Sequence, residues 1–484
     1  MKNVITLVLL SCTLFLNAQN YSFEKITSLE DQNLEEASDL ITFKNKLYFL
    51  ATEYSEDYST ATIHLCHVNS DNTATKLTPI CTEGTGSYTW TKFVAGDKLF
   101  FTKKDHTGNE LWYTEDGVTF NQVVDIFAGI EHSNPSNFCV FNNDLYFNAY
   151  NDEKGSELYR CNLNTLEVTC IDLATNENSS YAQQPCVYNN KLYFSAYDET
   201  NGLELWSYDG TTAPSMVSDF VVGASGLSPQ DLIVFDNVLY FTGTTEETGS
   251  ELFKYDGTSI SMAADIYPGA TGSEVTSKTI IDDKLYFSAY VNDKTRLCVF
   301  NGATVEQVAF GSSASPDPKH LTAFDGHLFG QAHSFETGKE LFYLADENVT
   351  MLDIDPARTM FSPKSSLPES ITVMDNKLFF IAMVNRKRNI FVVSKSGATA
   401  ITPLQKQITF SITPNPATSF LAVNLEGEKT EGEVKVYDIS GKLVLTQLIQ
   451  PHNNKVSTST LPSGIYIVSF QSHSQKYMQK VRIN

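Results

Sequence analysis

Residues 190–211 read NKLYFSAYDETNGLELWSYDGT and contain the pattern that decides the fold. A polar Asn-Lys pair precedes the apolar stretch Leu192-Tyr193-Phe194, and the stretch Gly202-Leu203-Glu204-Leu205-Trp206 follows about ten residues after the start of that motif. An Asp-Gly-Thr turn ends the window. Polar turn residues between short apolar runs indicate β-hairpins, so the window predicts short strands joined by tight turns.

The same pattern recurs along most of the chain. Leu-aromatic-Phe occurs eight times at intervals of about 47 residues, and the copy at Leu328 is degenerate because Gly330 replaces Phe. The copies begin at Leu47, Leu99, Leu145, Leu192, Leu239, Leu285, Leu328 and Leu378. With the Gly-x-Glu-Leu stretch and a last strand such as Val124-Asp125-Ile126, each unit offers four strands, which is the signature of a β-propeller blade; a solenoid normally has shorter coils. We expect an all-β propeller over residues 20–405 with eight blades, or seven if the first or the degenerate copy is not a full blade.

A propeller must also close, because unpaired first and last blades would leave open sheet edges. The segment 22–27 precedes the first complete unit and resembles a fourth strand. We expect it to complete the last blade beside residues 389–394. The segment 398–403 is the alternative, and the sequence does not decide between them.

Composition and charge narrow the function classes. Of 484 residues, 42% are hydrophobic and 12% aromatic, which suits a large β-rich core rather than a disordered chain. Lys and Arg number 34 against 57 Asp and Glu, a formal net charge of -23. This negative charge argues against nucleic acid as a partner.

The N-terminus predicts export. Lys2 precedes a mostly apolar run from Val4 to Leu16, and Ala18 follows, so residues 1–18 resemble a cleaved signal peptide. A lipoprotein site at Cys12 is the alternative. A transmembrane helix needs about 18 consecutive apolar residues, and no other segment comes near that length. An exported chain meets an oxidising compartment, where disulfides form.

Two cysteine pairs are candidates for cross-strand disulfides. Cys161 and Cys170 are symmetric about a predicted two-residue turn, and Cys66 and Cys81 are symmetric about residues 73–74. The alternative is that all four are small buried residues. Seven cysteines remain after the signal peptide, so at least one thiol has no partner within the chain.

The repeat carries a family resemblance. Gly-x-Glu-Leu-Trp-x-x-Asp-Gly-Thr followed by Asp-Ile-x-Pro-Gly resembles the ELWxxDGT repeat of exported bacterial proteins, over about residues 36–404. The first, sixth and eighth units depart from it, with Ile63-His64-Leu65-Cys66, Thr295-Arg296-Leu297-Cys298 and Arg388-Asn389-Ile390-Phe391. A function that needs one identical site in every blade is therefore in doubt.

A different pattern fills residues 408–484. Alternating strands and spaced turns are similar to the C-terminal sorting domain of the type IX secretion system (type A) of Bacteroidota. The motif residues are Pro414, Asn415, Pro416, Asp438, Gly441, Lys442, Leu461, Gly464, Tyr466 and Lys480. The resemblance implies a small β-sandwich that the type IX machinery recognises, with the cargo released or attached to the cell surface. A carbohydrate-binding or fibronectin-like module is the alternative.

No catalytic motif stands out. The sequence has no HExxH, paired CxxC, G-x-S-x-G or P-loop. The repeated glutamates and the upstream aspartates are calcium candidates, since oxygen ligands suit calcium, but a residue repeated in each blade usually has a structural role. These candidates are Asp105, Glu110, Asp152, Glu157, Asp198 and Glu204. The aromatic residues that follow the repeated Glu-Leu could stack sugars, but they more readily fill the layer between blades.

Two functions follow from these observations. The first is a non-enzymatic surface propeller that binds a glycan or a protein, or acts as a scaffold, without a cofactor unless calcium is bound. The second is a polysaccharide lyase or hydrolase, which would need a non-repeated polar cluster at one mouth of the propeller. The irregular cluster in the sequence is His320, His327, His333 and Arg358.

Overall fold

The chain divides into two compact units, Met1–Ser396 and Gly397–Asn484. A computed structural model describes residues 21–26, 34–69, 73–84, 90–174, 178–310, 315–357, 363–395, 409–413, 417–426, 432–438, 442–450, 454–472 and 475–483. The predicted signal peptide at 1–18 lies outside these residues. Among the described residues, no helix is long and apolar enough to cross a membrane.

The described part of the first unit forms eight four-stranded antiparallel sheets, one for each copy of the Leu-aromatic-Phe motif. Sheets one to four are β2(Glu35–Phe43), β3(Lys46–Tyr54), β4(Thr60–Val68), β5(Ala74–Gly84); β6(Lys92–Ala95), β7(Lys98–Asp105), β8(Gly108–Thr114), β9(Asn121–Val124); β10(Ser136–Phe141), β11(Asp144–Asn151), β12(Gly155–Asn162), β13(Val168–Ile171); and β14(Gln183–Tyr188), β15(Lys191–Asp198), β16(Gly202–Tyr208), β17(Ser215–Met216). Sheets five to seven are β18(Gln230–Phe235), β19(Val238–Thr245), β20(Gly249–Tyr255), β21(Ile260–Ala264); β22(Thr276–Ile281), β23(Lys284–Val291), β24(Lys294–Phe300), β25(Val305–Gln307); and β26(Lys319–Phe324), β27(His327–Ser334), β28(Gly338–Ala345), β29(Asn348–Leu352). The eighth sheet contains β30(Glu369–Met374), β31(Lys377–Val384), β32(Lys387–Lys395) and the N-terminal strand β1(Tyr21–Lys25).

The Leu-aromatic-Phe motif lies on the second strand of every sheet. In the fourth sheet, Leu192 and Phe194 are fully buried between neighbouring sheets. The turn before them contains Asn189 (φ 45°) and Asn190 (φ 56°), and two successive residues with positive φ match the twist of a two-residue hairpin. The polar turn before each motif therefore sets the register that buries its apolar side chains.

The Gly-x-Glu-Leu motif begins the third strand. Gly249 (φ +65°) opens β20, and a Cβ there would lie 2.5 Å from Gly272 N, so the close approach of two chain segments requires glycine. The following turn is closed by Asp256, whose Oδ1 accepts hydrogen bonds from Thr258 N (2.8 Å) and Ser259 N (2.9 Å). These local contacts explain the Asp-Gly-Thr turns of the repeat.

The N-terminal strand completes the last sheet. β1 pairs antiparallel with β32, Tyr21 opposite Lys395 and Lys25 opposite Phe391. The expectation for the segment 22–27 is thus confirmed, and the alternative segment 398–403 lies outside the described residues. Side chains of sheets eight and one share a core that contains Ile381, and the first strands β30 and β2 contact each other. The ring therefore closes, and the first unit is the β-propeller that the sequence predicts.

The two candidate cysteine pairs do not lie directly opposite each other in the sheets. Cys161 lies opposite Val168, and Cys170 lies opposite Tyr159. The two-residue turn does not form, because Asn162 Oδ1 accepts hydrogen bonds from the next residues and the turn is longer.

In the first sheet, irregularities in the pairing of β4 with β5 place Cys66 opposite Lys76 and Cys81 opposite Ile63. Cys66, Cys139, Cys161, Cys170, Cys186 and Cys298 are free thiols.

The second unit contains two antiparallel sheets. One is β33(Thr409–Thr413), β34(Phe420–Glu426) and β37(Lys455–Ser457), and the other is β36(Leu443–Ile449), β35(Gly432–Asp438), β38(Gly464–Ser472) and β39(Gln475–Ile483). Alternate residues such as Val434 and Val436 are fully buried in one apolar core that both sheets line. This arrangement is a small β-sandwich.

Candidate functional site

The repeated glutamates connect each sheet to the next. Glu110 on β8 is fully buried and accepts hydrogen bonds from Ile126 N (3.0 Å), Ser133 N (2.9 Å) and Ser133 Oγ (2.6 Å). Ile126 follows the fourth strand and Ser133 precedes the next sheet, so one carboxylate fixes both ends of the connection. Glu157, Glu251 and Glu340 make equivalent contacts with Leu173 and Ser180, with Ile266, Tyr267 and Ser273, and with Ile354 and Ser366.

The calcium candidates do not converge. Asp105 accepts hydrogen bonds from Thr107 N (2.9 Å) and pairs with Lys103 (2.9 Å), whereas Glu110 turns to the next connection. Asp198 closes its own turn through Thr200 and Asn201, and Asp152 accepts from the Tyr150 hydroxyl. Within the described ranges, no group of three or more His, Cys, Asp or Glu side chains could hold a metal ion.

Glu204 differs from the other repeated glutamates. Its Oε1 accepts from Val221 N (3.4 Å) and Leu227 N (2.9 Å), but its buried Oε2 has no hydrogen-bond partner among the described residues. The serine of the other connections is replaced here by Leu227, which has no hydroxyl to donate. Burial raises the pKa of Glu204 to about 7, and the nearby charge of Asp219 adds to this effect.

The aromatic residues that follow each Glu-Leu pack between sheets. Phe253 and Phe342 are almost fully buried, and Tyr159 is 4% exposed. Trp112 and Trp206 are partly buried in the same apolar layers, and Lys103 Nζ lies 3.9 Å from the ring centre of Trp112. These rings are therefore core residues rather than an open stacking platform.

Three units replace the repeated glutamate with another polar residue, which is buried in sheets one and eight and partly buried in sheet six. His64, Arg296 and Asn389 occupy this position in sheets one, six and eight. His64 is 7% exposed, and its Nε2 lies 2.8 Å from Glu53 Oε2, which also pairs with Lys76 at 3.1 Å. Burial lowers the pKa of His64, so the neutral imidazole is favoured. The departures from the repeat motif in the sequence mark these positions.

The first strands surround the propeller axis and carry polar residues at a β-bulge. The bulge residue has a positive φ in seven sheets, from 50° to 60°. These residues are Asp39, Asn137, Gln184, Asp231, Ser277, His320 and Ser370. Several bind the neighbouring sheet: Lys92 Nζ lies 2.8 Å from Asp39, and Lys278 Nζ lies 3.1 Å from Asp231.

A non-repeated polar cluster lies at one mouth of this ring. We define the upper face as the face where the first strand of each sheet begins and the second strand ends. On this face, the Arg388 guanidinium pairs with Glu369 and lies 3.9 Å from Glu36 Oε2. Lys387 Nζ lies 3.6 Å from Glu35 Oε1 in the same region. We call the residues Glu35, Glu36, Tyr54, His320, Glu369, Lys387 and Arg388 the mouth cluster.

The cluster includes two further groups with perturbed acidity. Limited solvation lowers the pKa of His320, and the neighbouring charge of Glu369 opposes that shift. Burial raises the pKa of Tyr54, and the charges of Glu36 and Glu35 act in the same direction. A histidine, an arginine, a tyrosine and carboxylates thus share one mouth.

The sequence identified only part of this cluster. His320 belongs to it, and His333 at the end of β27 lies on the same face. His327 begins that strand and therefore lies on the opposite face, about 20 Å away along an extended chain. Arg358 lies outside the described residues. Glu36 and Arg388 were missed because the ring closure brings together two distant parts of the chain.

The described motif residues of the tail lie on strands and turns of the sandwich. Asp438 Oδ1 accepts a hydrogen bond from Lys442 N (3.1 Å), and the Tyr466 hydroxyl donates to Pro462 O (2.8 Å). Leu461 packs against the sandwich core, and Gly464 begins β38. Lys480 on β39 lies opposite Ile467 on β38. Pro414, Asn415, Pro416 and Gly441 lie outside the described residues.

Comparisons with known proteins give one family match, for the C-terminal residues, and several similar structures. Residues 411–484 match the family model "Secretion system C-terminal sorting domain". No curated protein matches the chain by sequence. Among solved structures, the chain is similar to PorZ of Porphyromonas gingivalis, an essential surface component of the type IX secretion system, at 11% identity and a TM-score of 0.43, over 92% of this chain and 69% of that one.

Two further similarities concern peptidases. The propeller domain of the trilobed protease of Pyrococcus furiosus matches at 12% identity and a TM-score of 0.41, over 66% of this chain and 95% of that one. A prolyl endopeptidase matches at 11% identity and a TM-score of 0.46, over 83% of this chain and 56% of that one. Such values are too low to transfer an activity. The sorting domain, by contrast, identifies the chain as cargo of the type IX secretion system, exported to the cell surface or secreted.

Proposed function

We propose that the exported propeller is a non-enzymatic binding or scaffold protein that holds a glycan or protein ligand at the mouth cluster. The observation that carries this proposal is the non-repeated group of Arg388, Glu369, Glu36 and His320 at one end of the ring. Such a group offers both donors and acceptors at one end of the ring, which suits the recognition of hydroxyl-rich or peptide ligands.

Exposed apolar side chains on the same face support a binding role. They lie in the loops that enter the first strands and in the turns between second and third strands. Six of them are Tyr58, Ile130, Tyr181, Val222, Phe335 and Leu367. Exposed aromatic and aliphatic groups around a polar centre are typical of recognition surfaces.

We further infer that the sheets are ELWxxDGT-type repeats of a Bacteroidota protein and that residues 1–18 are removed as a signal peptide. The repeated Gly-x-Glu-Leu stretches support the first inference, since they begin the third strand in five sheets. Calcium is a less favoured ligand, because the repeated glutamates already accept hydrogen bonds from the backbone.

One observation favours the alternative, a polysaccharide lyase or hydrolase. His320 lies near Glu369, and Tyr54 lies near two carboxylates, so the mouth cluster contains groups that can transfer protons. This enzyme would act on a polymer that enters the same mouth.

A paired assay separates the two functions. The full chain is applied to a glycan array and to a panel of polysaccharides, and reducing ends and unsaturated products are measured. Binding without turnover supports the first function, and turnover of any polymer supports the second. Arg388→Gln should weaken binding about tenfold through loss of a charged hydrogen-bond donor, whereas Arg386→Gln in the same turn should not. Equal effects of both substitutions would place the ligand elsewhere.

A further inference from the structure

A cleft of about 470 Å³ opens on the lower face of the propeller, opposite the mouth cluster, between the sixth and seventh sheets. Its walls come from the turn before β23, from β25 and from the turn between β28 and β29. Tyr286 on β23 and Leu344 on β28 both line it.

Aromatic rings fill the corresponding space at three other sheet boundaries. Each boundary has three rings: one at the end of a first strand, one on the following second strand, and one on the third strand of the next sheet. The ring centres lie 5.5–6.3 Å apart. These aromatic triads are Phe141, Tyr146 and Tyr208; Tyr188, Tyr193 and Tyr255; and Phe235, Tyr240 and Phe300.

The cleft exists because two of the three rings are missing at its boundary. Ile281 stands at the first position and Leu344 at the third, while Tyr286 is retained at the second. Leu344 pairs with Leu328 exactly as Tyr208 pairs with Leu192, so the two positions are equivalent. The phenol ring of Tyr286 therefore borders open space instead of a neighbouring ring.

The rim of the cleft is acidic. It carries the carboxylates Asp282, Glu306, Asp346 and Glu347 against two basic side chains, Lys284 and His327. No ion pair engages any of the four carboxylates within the described part of the chain. Burial raises the pKa of Tyr286, and the charges of Asp282 and Glu347 add to the shift, so these carboxylates lie near its hydroxyl.

We propose that this cleft binds the cationic side chain of an extracellular peptide or protein, an arginine or a lysine. The aliphatic walls and the face of Tyr286 suit the stem and the charged head of such a side chain. The carboxylates at the rim supply the opposite charge. The site lies on the other face from the mouth cluster, so it does not depend on the proposed function of that cluster.

The test uses two probes of nearly the same shape. Benzamidine is a planar aromatic cation, and benzamide is its neutral counterpart. Titration of the full chain at low ionic strength should show binding of benzamidine at least tenfold tighter than that of benzamide, and added salt should weaken it.

Three variants locate the site. Leu344→Tyr restores the third ring found at Tyr208 and Tyr255, so it should fill the cleft and abolish binding while the protein stays folded. Asp282→Asn combined with Glu347→Gln should weaken benzamidine binding about tenfold. Asp236→Asn is the matched control, because Asp236 occupies the same turn position in the fifth sheet, where rings fill the space.

The proposal stands if benzamidine binding is lost in Leu344→Tyr and in the double variant but kept in the control. It is overturned if benzamidine does not bind, if benzamide binds as well, or if Leu344→Tyr leaves the affinity unchanged. Thermal unfolding of each variant shows whether a loss of binding reflects a loss of folding. The double variant changes only rim carboxylates and keeps the apolar walls of the cleft, so it tests the charge without altering the packing.

Discussion

Replacing Glu204 by glutamine should stabilise the propeller at neutral and alkaline pH. Glu204 is fully buried and its Oε1 accepts both backbone hydrogen bonds, whereas its Oε2 meets no hydrogen-bond partner in the part of the chain that the structure describes. Glutamine keeps an acceptor oxygen for Val221 and Leu227 and removes a buried charge. Its amide also provides a donor near Asp219, whose charge adds to the raised pKa of Glu204.

The size of the effect follows from the pKa. Folding raises the pKa of Glu204 from 4.5 to about 7, so the native state binds more protons than the unfolded state between these values. Stability from this group is therefore present below pH 4.5 and lost as the pH rises to about 7. The shift corresponds to about 3 kcal/mol. The variant should gain about that much relative to the wild type between pH 4.5 and pH 8.

The assay is urea unfolding of the wild type and the variant at several pH values. The difference between their free energies of unfolding isolates Glu204, because all other titrating groups contribute equally to both proteins. Glu157→Gln is the control. Both carboxylate oxygens of Glu157 accept hydrogen bonds, so the NH₂ group of the substituted glutamine would point at a hydrogen-bond donor. This mismatch should lower the free energy of unfolding by about 1–3 kcal/mol at pH 8. The reasoning is refuted if the difference for Glu204→Gln does not change with pH, or if both variants lose the same stability at pH 8.

Three further predictions concern the fold. Tyr21→Phe keeps the buried ring on the strand that closes the propeller but removes its hydroxyl, which donates a hydrogen bond to Asp325 Oδ2 (2.9 Å). This variant should lower the free energy of unfolding by about 1 kcal/mol in urea titrations. Gly117→Ala should lower the melting temperature more than Gly96→Ala, because a Cβ at Gly117 would lie 2.3 Å from the Tyr48 hydroxyl and one at Gly96 meets no atom within 4 Å; equal losses would contradict this packing. Lys278→Met should change stability at pH 7 by less than about 1 kcal/mol, because an apolar side chain suits the buried site. Burial lowers the pKa of Lys278 from 10.5 to about 8, so the native state binds fewer protons than the unfolded state between these pH values. The free energy of unfolding of the wild type should therefore rise relative to that of the variant as the pH increases from about 8 to 10.5. A difference in free energy that stays constant over this range would argue against the lowered pKa.

Local patterns allowed the architecture to be predicted from the sequence. Turn residues such as Asn189 and Asn190 act on their immediate neighbours, so their consequences are visible in a short window. Cys161 shows where this reasoning fails, because one longer turn moved it away from Cys170 and changed its partner to Val168. A strand register depends on hydrogen bonds that a count of residues does not contain.

The mouth cluster could not be predicted for a different reason. Glu36 lies in the first sheet and Arg388 in the last, and these two sheets come into contact where the ring closes, through β2 against β30 and β32. A sequence window cannot relate such distant residues. His320 was identified because its unit is irregular, but its supposed partner His327 lies at the other end of the strand.

The distribution of irregular units suggests why both proposed sites lie where they do. Sheets two to five keep the buried glutamate, and the aromatic triads lie at the three boundaries from sheet three to sheet six, so these repeated side chains hold neighbouring sheets together. Sheets one, six and eight have lost that glutamate to His64, Arg296 and Asn389. The mouth cluster draws most of its residues from sheets eight and one, and the cleft lies beside sheet six. Sheets that use the same side chains for the same packing contacts present similar surfaces, whereas a sheet that lacks those contacts can carry different side chains that bind a ligand. Function in this propeller is therefore expected at the departures from its repeat.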